Sequence, residues 1–318
     1  MIAVPPWEAA RTKGPVVSAP PLGSTLRSNV RLITSRLRLA VNLRLPDKPV
    51  RRTIRGVEMT LPRRHGLPHF ARPGSPYAEN LVDLARLIAE KEGTVCVLDV
   101  GANVGDSALF VLAEAPAFVV CVEPDPQWQT YLETNVGGLD SVEVEPSILV
   151  APEAAGVSLA IVHQDVGTSQ VQQTTDGSGL PSITTDELLA RHPRLADVRL
   201  VKSDTDGFDV MLVPALARTF LPSKPVLFFE FDPRPTALAT PDLRPNDIWQ
   251  TLVDLGYESA VVWDNGGSLI GPAPTAELEE RSAVLELTPE ERGYGFWDVA
   301  VAHKDDPVGL HVLADLSR

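Results

Sequence analysis

The sequence is poor in cysteine, methionine and aromatic residues, with 2 Cys, 3 Met and 6% Phe, Trp and Tyr in 318 residues. Two cysteines cannot make a disulfide framework, and Cys96 and Cys121 both sit in apolar, strand-like runs, where they are expected as reduced core residues. No apolar stretch reaches 18 residues, so no spanning-helix pattern is present. The first 25 residues hold no positively headed apolar run of the signal-peptide kind. A cytoplasmic protein with no membrane segment is the expectation. Collagen-like periods, sustained heptads and wholesale low complexity are also missing. What remains, at 44% hydrophobic and 22% charged, is a globular chain able to bury a sizeable core as one large domain or two smaller ones.

The net charge of -14 is unevenly spread. Residues 1–94 carry 16 Lys and Arg against 7 Asp and Glu, whereas residues 95–318 carry 12 against 35. A basic segment therefore precedes an acidic body. Its positive charge is concentrated in Arg27, Arg31, Arg36, Arg38, Arg44, Arg51, Arg52 and Arg55. Aromatics suited to base stacking are missing from residues 27–55, so nucleic acid is not the expected partner. A basic arm docked on its own acidic domain, or on a second subunit of a homodimer, is.

Residues 1–26 are rich in proline and read as a flexible arm; residues 27–94 read as a basic N-terminal extension with a helix over 27–45 and a hairpin over 51–61 turning at Gly56. Ser75 and Pro76 predict the start of a helix carrying Leu81, Leu84, Ala85 and Ile88 and ending at Gly93. From residue 95 the pattern changes to short apolar runs at 95–99, 118–123, 142–144, 157–162, 198–202, 226–231, 259–263 and 296–302, most of them separated by helical patterns. Trp128, Tyr131 and Leu132 mark one helix, a Thr184/Glu187 capping box another, and Ile248, Leu252 and Leu255 before Gly256 a third. Apolar runs alternating with helices predict an α/β domain, a doubly wound, mostly parallel sheet over 95–304. The last two runs have no helix between them and are expected as an antiparallel C-terminal hairpin at the sheet edge, followed by a tail over 305–318. The extension adds a small N-terminal α/β part.

In such a sheet the ligand lies at the carboxyl ends of the strands. The first run leads into Asp99-Val100-Gly101-Ala102-Asn103-Val104-Gly105-Asp106, and Gly101 and Gly105 permit a tight turn and a close approach of ligand to backbone. A dinucleotide fingerprint needs a glycine where Asn103 stands, so the loop suits a nucleoside ligand without a pyrophosphate, and S-adenosylmethionine is such a ligand. The second run ends at Glu123, 24 residues after Asp99, where a carboxylate accepts both ribose hydroxyls.

The stretches VLDVGANVG (97–105), VEPDP (122–126), Asn135, TDEL (185–188) and LVKSDTDG (200–207), in this order, resemble the successive signatures of the FkbM-type S-adenosylmethionine-dependent methyltransferases. The resemblance spans roughly residues 77–302. It implies a Rossmann-like class I methyltransferase fold, S-adenosylmethionine as cofactor, and O-methylation of a hydroxyl on a sugar or secondary metabolite. It further implies that Asp99, Gly101 and Gly105 hold the methionine end and Glu123 the ribose, with Ala102, Asn103 and Pro124 also in the cofactor site. Asp165, in DVGTS (165–169), matches a small polar loop near the cofactor, and Lys202 completes the implied set. One departure stands out: the family usually has Lys-x-Asp-x-Glu-Gly where this chain has Lys202-Ser203-Asp204-Thr205-Asp206-Gly207, which moves a carboxylate by one methylene.

Methyl transfer to a neutral hydroxyl needs the acceptor oriented and its proton removed. Asp204 or Asp206 as general base is one reading, with His163 as a further candidate. In the other, Asp204, Glu230 and Asp232 bind Mg²⁺, which lowers the acceptor's pKa. Strand-end acids also cap helices and turns, and Lys202 could simply pair with Asp204. His65 and His69 either line an acceptor cleft or sit in a loop, and the polar stretch 164–182 is either a lid or a solvated loop. The expected acceptor is a glycosylated or polyketide-like small molecule. The alternatives are N-methylation and a nucleoside-binding regulatory protein without transfer activity.

Overall fold

The computed structural model describes residues 48–165, 168–174, 179–234 and 243–318, apart from the side chains of 162–165, 168–170, 172 and 173. The arm over 1–26 and the basic helix expected over 27–45 lie outside the described residues. Residues 49–318 form one compact unit. It opens with an antiparallel hairpin, β1 (Pro49–Ile54) and β2 (Val57–Pro62). Arg55 and Gly56 both have positive φ, 51° and 80°, as a type I′ two-residue turn demands.

Helix α1 (Glu79–Glu92) starts later than Ser75 and Pro76 suggest, because Ala78 just before it is left-handed (φ 60°) and Ser75 instead closes a local turn by accepting from Tyr77 N at 3.3 Å. It ends at Gly93 as expected. There follow β3 (Val95–Val100), α2 (Asp106–Glu114), β4 (Ala117–Val122), α3 (Pro126–Val136), β5 (Val142–Glu145), β6 (Ile148–Val150), β7 (Leu159–Asp165), β8 (Thr168–Gln173) and β9 (Ser182–Thr184). Then come α4 (Thr185–Arg191), β10 (Leu200–Ser203), α5 (Asp209–Thr219), β11 (Val226–Phe231), α6 (Asp247–Asp254), β12 (Tyr257–Asp264), β13 (Leu269–Pro274), β14 (Trp297–His303) and α7 (Pro307–Leu316). The Thr184/Glu187 capping box is formed at the start of α4. No helix among the described residues is long and apolar enough to cross a membrane.

The main sheet runs β13-β12-β14-β11-β10-β3-β4-β5, parallel from β11 to β5 and antiparallel from β11 to β13. Chain order reverses between β3 and β10, the switch point at which a doubly wound sheet opens a crevice. Successive residues of a strand face opposite sides. Leu98, Val120, Val201 and Phe229 thus pack with α4, α5 and α6, while Val97, Val119, Cys121, Leu200 and Phe228 pack with α1, α2, α3 and α7. Cys96 lies with the first layer and Cys121 with the second, both as free thiols. A third cluster, in which Ile54, Met59 and Leu61 meet Val82, Val104, Phe110 and Trp128, fastens the N-terminal hairpin to the helices beside the crevice.

Three expectations are corrected. The run at 157–162 belongs to no parallel strand of the main sheet; β7 pairs antiparallel with β8, and that hairpin takes up much of the polar stretch after it. The last two runs do pair, as β12 with β14, but they are not a hairpin at the edge. The Asn265-Gly266-Gly267 turn, with Gly267 at φ 88°, folds β13 back on β12, and β14 inserts between β12 and β11. Burial explains this: Val299, Ala300, Val301 and Ala302 are fully buried and need a strand on either side, whereas Pro272 and Pro274 lack the N–H that an inner strand requires and keep β13 at the edge. Finally, the stretch read as a C-terminal tail contains α7, whose Val312 and Leu313 are buried in the same layer as α1.

Candidate active site

The crevice at the carboxyl ends of β3, β4, β10 and β11 is a cleft of about 440 Å³. Its floor is built where β3 and β10 lie side by side, with Lys202 in register with Asp99. Lys202 Nζ is 3.0 Å from Asp99 Oδ1 and 3.5 Å from Asp204 Oδ2, and it donates to the Gly101 carbonyl at 3.1 Å. Burial works to lower the pKa of the ammonium, but the Asp99 and Asp204 carboxylates outweigh it and raise the pKa, so Lys202 is a fixed cation. Ser107 Oγ donates to the other oxygen of Asp99 at 2.7 Å.

The glycine loop turns tightly, with φ of 76° at Gly101, 50° at Asn103 and 85° at Gly105. What approaches Gly101 is protein: a Cβ there would run into the Asp204 backbone. A Cβ on Gly105 would meet Leu132 and Val136 of α3. The N–H groups of Gly101 and Ala102 both point to the Val122 carbonyl, at 3.0 and 3.1 Å. Asp99, Ala102 and Gly105 therefore stand behind the wall of the cleft, whereas Gly101, Asn103, Glu123, Pro124 and Lys202 line it. Asn135 ties the loop to the N-terminal hairpin, donating to Val104 O and Thr60 O and accepting from Thr60 N at 2.7 Å.

Glu123 is 5% exposed. Its Oε2 accepts from Asn103 N and its Oε1 from Asp125 N, both at 2.8 Å. Burial pushes the carboxyl up to about 7 although both amides favour the charged form. Each oxygen keeps lone pairs for a further donor in the cleft.

The opposite wall is acidic. Asp204 is the most accessible member, with 48% of its side chain exposed, and Asp206 follows it in a left-handed conformation, φ 52°. Asp209, buried at the start of α5, holds this loop by accepting from Ser203 Oγ at 2.6 Å and Thr205 N at 3.1 Å. Glu230 neighbours Asp204 and is pushed well above the usual carboxylate range by its burial and by that carboxylate. Directly across the β11–β14 ladder from Glu230 stands Asp298, which accepts from Asn80 Nδ2 at 3.0 Å and is raised to about 7 by burial. Asp106, at the start of α2 just after the glycine loop and also raised by burial to about 6, adds a further acid to the lining.

The expected Mg²⁺ trio does not assemble. β11 ends at Phe231, so Asp232 leaves the pleat that would have carried it beside Glu230 and instead forms an ion pair with Arg234, Oδ2 to Nη2 at 2.6 Å. Among the described residues no group of three or more His, Cys, Asp or Glu is arranged to hold a metal ion. The side chains of His163 and Asp165, on β7, lie outside the described residues. Of the two N-terminal histidines, His65 lines the cleft and His69 does not. Tyr77, Asn80, Asp106 and Asp298 line it as well and were not singled out from the sequence. Asp106 closes the glycine motif and was legible there, whereas Asp298 becomes visible only with the strand register.

A switch-point crevice with a glycine loop on one strand and a carboxylate at the end of the next, under a sheet ordered β5-β4-β3-β10-β11-β14-β12, defines a class I methyltransferase. The model of the methyltransferase FkbM domain matches residues 99–259, and the chain belongs to the FkbM family of S-adenosylmethionine-dependent methyltransferases. No curated protein matches it. Among solved structures it is similar to an O-methyltransferase from Bacillus cereus in complex with S-adenosylhomocysteine, at 13% identity over 72% of this chain and 84% of that one, TM-score 0.39. It is also similar to the O-methyltransferase TomG from Streptomyces achromogenes, involved in tomaymycin synthesis, at 14% over 75% and 86%, TM-score 0.39. The methyltransferase FkbM from Methylobacillus flagellatus KT gives 15% over 65% and 43%, TM-score 0.37.

Proposed function

We propose that this protein is an S-adenosylmethionine-dependent O-methyltransferase acting on a hydroxyl of a sugar-containing or polyketide-like small molecule. The observation that carries the reading is the pairing, in one cleft, of a nucleoside-type carboxylate, Glu123, with an acidic wall that includes one accessible carboxylate, Asp204. The donor set fits the cofactor. Glu123 has acceptor capacity left for two ribose hydroxyls, the cleft is of small-ligand size, and the acids beside Lys202 suit a ligand carrying an ammonium and a sulfonium. When bound, S-adenosylmethionine supplies an electrophilic methyl group on positively charged sulfur.

The chain's own residues then have two tasks, to orient the acceptor and to take its proton. Asp204 is the best-placed base, since it is accessible, is held by Lys202 and borders the cleft. Glu230, whose carboxyl is pushed up by burial and by the Asp204 charge, stands beside that base and restrains its position. Asp206 is a second base candidate on the same loop. Mg²⁺ assistance has no fitting donor set among the described residues.

One observation favours an amine acceptor instead: among the described residues Asp106, Asp204, Asp206, Glu230 and Asp298 line the cleft against one lysine, Lys202, an excess of acid that attracts a positively charged ligand. Calorimetric titration of S-adenosylmethionine and S-adenosylhomocysteine into the wild type and Glu123→Ala, followed by turnover on matched hydroxyl and amine acceptors, tests both readings. Binding that is lost in the variant, with methyl transfer to hydroxyls, is expected. Transfer confined to amines would favour the second reading, and no binding of either nucleoside would remove both.

A further inference from the structure

His65 comes from the segment that precedes the matched domain, between β2 and the single helical turn at Leu67–Phe70. It lines the cleft at its Glu123 end and meets Trp128 edge-on, ring centroids 5.7 Å apart at 84°. Its Nδ1 accepts from Leu67 N at 3.2 Å, so that nitrogen carries no proton. The ring proton is on Nε2, which donates to Asn103 Oδ1 at 3.2 Å. Asn103 in turn donates its backbone N–H to Glu123 Oε2 at 2.8 Å. A side chain anchored outside the glycine loop thus holds, from its far end, the one loop residue that touches the Glu123 carboxylate. Asn103 needs such a hold, because at φ 50° it occupies a region that a non-glycine residue enters only at a cost.

From this geometry we infer that His65 is a positioning residue for the donor site. It fixes Asn103, and through it the orientation of Glu123, so that the segment before the family domain sets nucleoside affinity. The inference rests on the reading that Glu123 takes the ribose. Nothing in it calls for His65 to touch a reacting atom.

The test is calorimetric titration of S-adenosylhomocysteine into the full chain and into His65→Leu, His65→Gln, Asn103→Gly and the double variant His65→Leu/Asn103→Gly, with unfolding midpoints measured alongside. Losing one neutral hydrogen bond should weaken binding about fivefold in His65→Leu. Glutamine, whose amide nitrogen falls near the imidazole Nε2, should restore it to within about twofold. If His65 acts through Asn103, His65→Leu should add nothing in the Asn103→Gly background, where the glycine keeps the backbone conformation and removes Oδ1. Wild-type affinity in His65→Leu would overturn the inference, and so would an undiminished fivefold loss in the Asn103→Gly background. Should His65→Leu fail to fold, an affinity for His65→Gln no better than that of Asn103→Gly would overturn it equally. Equal binding by wild type and Glu123→Ala would instead remove the ribose reading, and this inference with it.

Discussion

Lys202 and Asp99 stand in register on neighbouring parallel strands with their charged ends 3.0 Å apart, and both are buried beneath the cleft. Their pairing gives the switch point a rigid floor. The carbonyl of Gly101 and the side chain of Asp204, which belong to opposite walls, are both tied to the same ammonium. A lysine that follows Leu200 and Val201 in a fully buried strand is retained here by its partners, since an unpaired charge in that position would not tolerate the burial.

Replacing Lys202 with methionine should therefore cost about 3–5 kcal/mol, because Asp99 is left buried and charged with only the Ser107 hydroxyl beside it. The double variant Lys202→Met/Asp99→Leu should recover most of that loss, since two apolar side chains of similar size need no desolvated charge. Urea unfolding of the four proteins of this cycle measures the coupling. A double variant as unstable as Lys202→Met would refute the account.

Glu123 gives a pH dependence with a definite sign. Its folded-state pKa is raised from 4.5 to about 7, so the folded chain holds a proton that the unfolded chain releases. The stability this contributes is complete below about pH 4.5 and is lost as the pH climbs through 7. Binding runs the other way, because ribose hydroxyls donate to the ionised carboxylate. Affinity for S-adenosylhomocysteine should rise about tenfold between pH 6 and 8 and level off above. Asp106 and Asp298 titrate in the same window, at about 6 and about 7, so Glu123→Gln is the control: its affinity should be lower and its profile flatter. A wild-type profile no steeper than that of the variant would count against Glu123 as the ribose acceptor.

Much of this arrangement was legible without coordinates, and the parts that were not share a physical cause. Burial on both faces leaves a direct trace in a strand's composition, so the runs around Leu98, Val120, Val201 and Phe229 marked the parallel strands, and the glycine loop with Glu123 marked the crevice. The capping box at Thr184 and the Asn135 signature were visible for the same reason, being local patterns. Lateral order leaves no such trace. Apolar residues from 297 to 303 signal burial, but not that β14 lies between β11 and β12, and with that order hidden the facing of Glu230 and Asp298 was hidden too. The end of β11 one residue before Asp232 decided the fate of the expected metal trio, and strand ends are set by tertiary pairing rather than by composition. His65 reaches Asn103 because Met59, Leu61 and Leu67 pack the N-terminal hairpin against Val104 and Trp128, a contact between segments far apart in the chain.

The glycine of the loop offers the most direct test of how the two walls are joined. Gly56 and Gly101 have nearly the same positive φ, 80° and 76°, but different surroundings. Nothing lies within 4 Å of a Cβ built on Gly56, whereas one built on Gly101 meets the Asp204 carbonyl, its carbon at 3.0 Å and its oxygen nearer still. Gly56→Ala should cost only the left-handed conformation, about 1–2 kcal/mol, and leave nucleoside affinity unchanged. Gly101→Ala bears the same conformational cost and must also push away the backbone that carries Asp204. It should cost at least about 2 kcal/mol beyond Gly56→Ala and, by shifting Asp204 and the Lys202 contacts, depress turnover more than tenfold in whatever fraction folds. Urea midpoints with S-adenosylhomocysteine titrations on both variants separate the contributions, since conformational strain is common to the pair and the clash is not. Equal costs would mean that the Asp204 loop yields freely, and the glycine would then serve the turn alone rather than the close packing of β3 against β10.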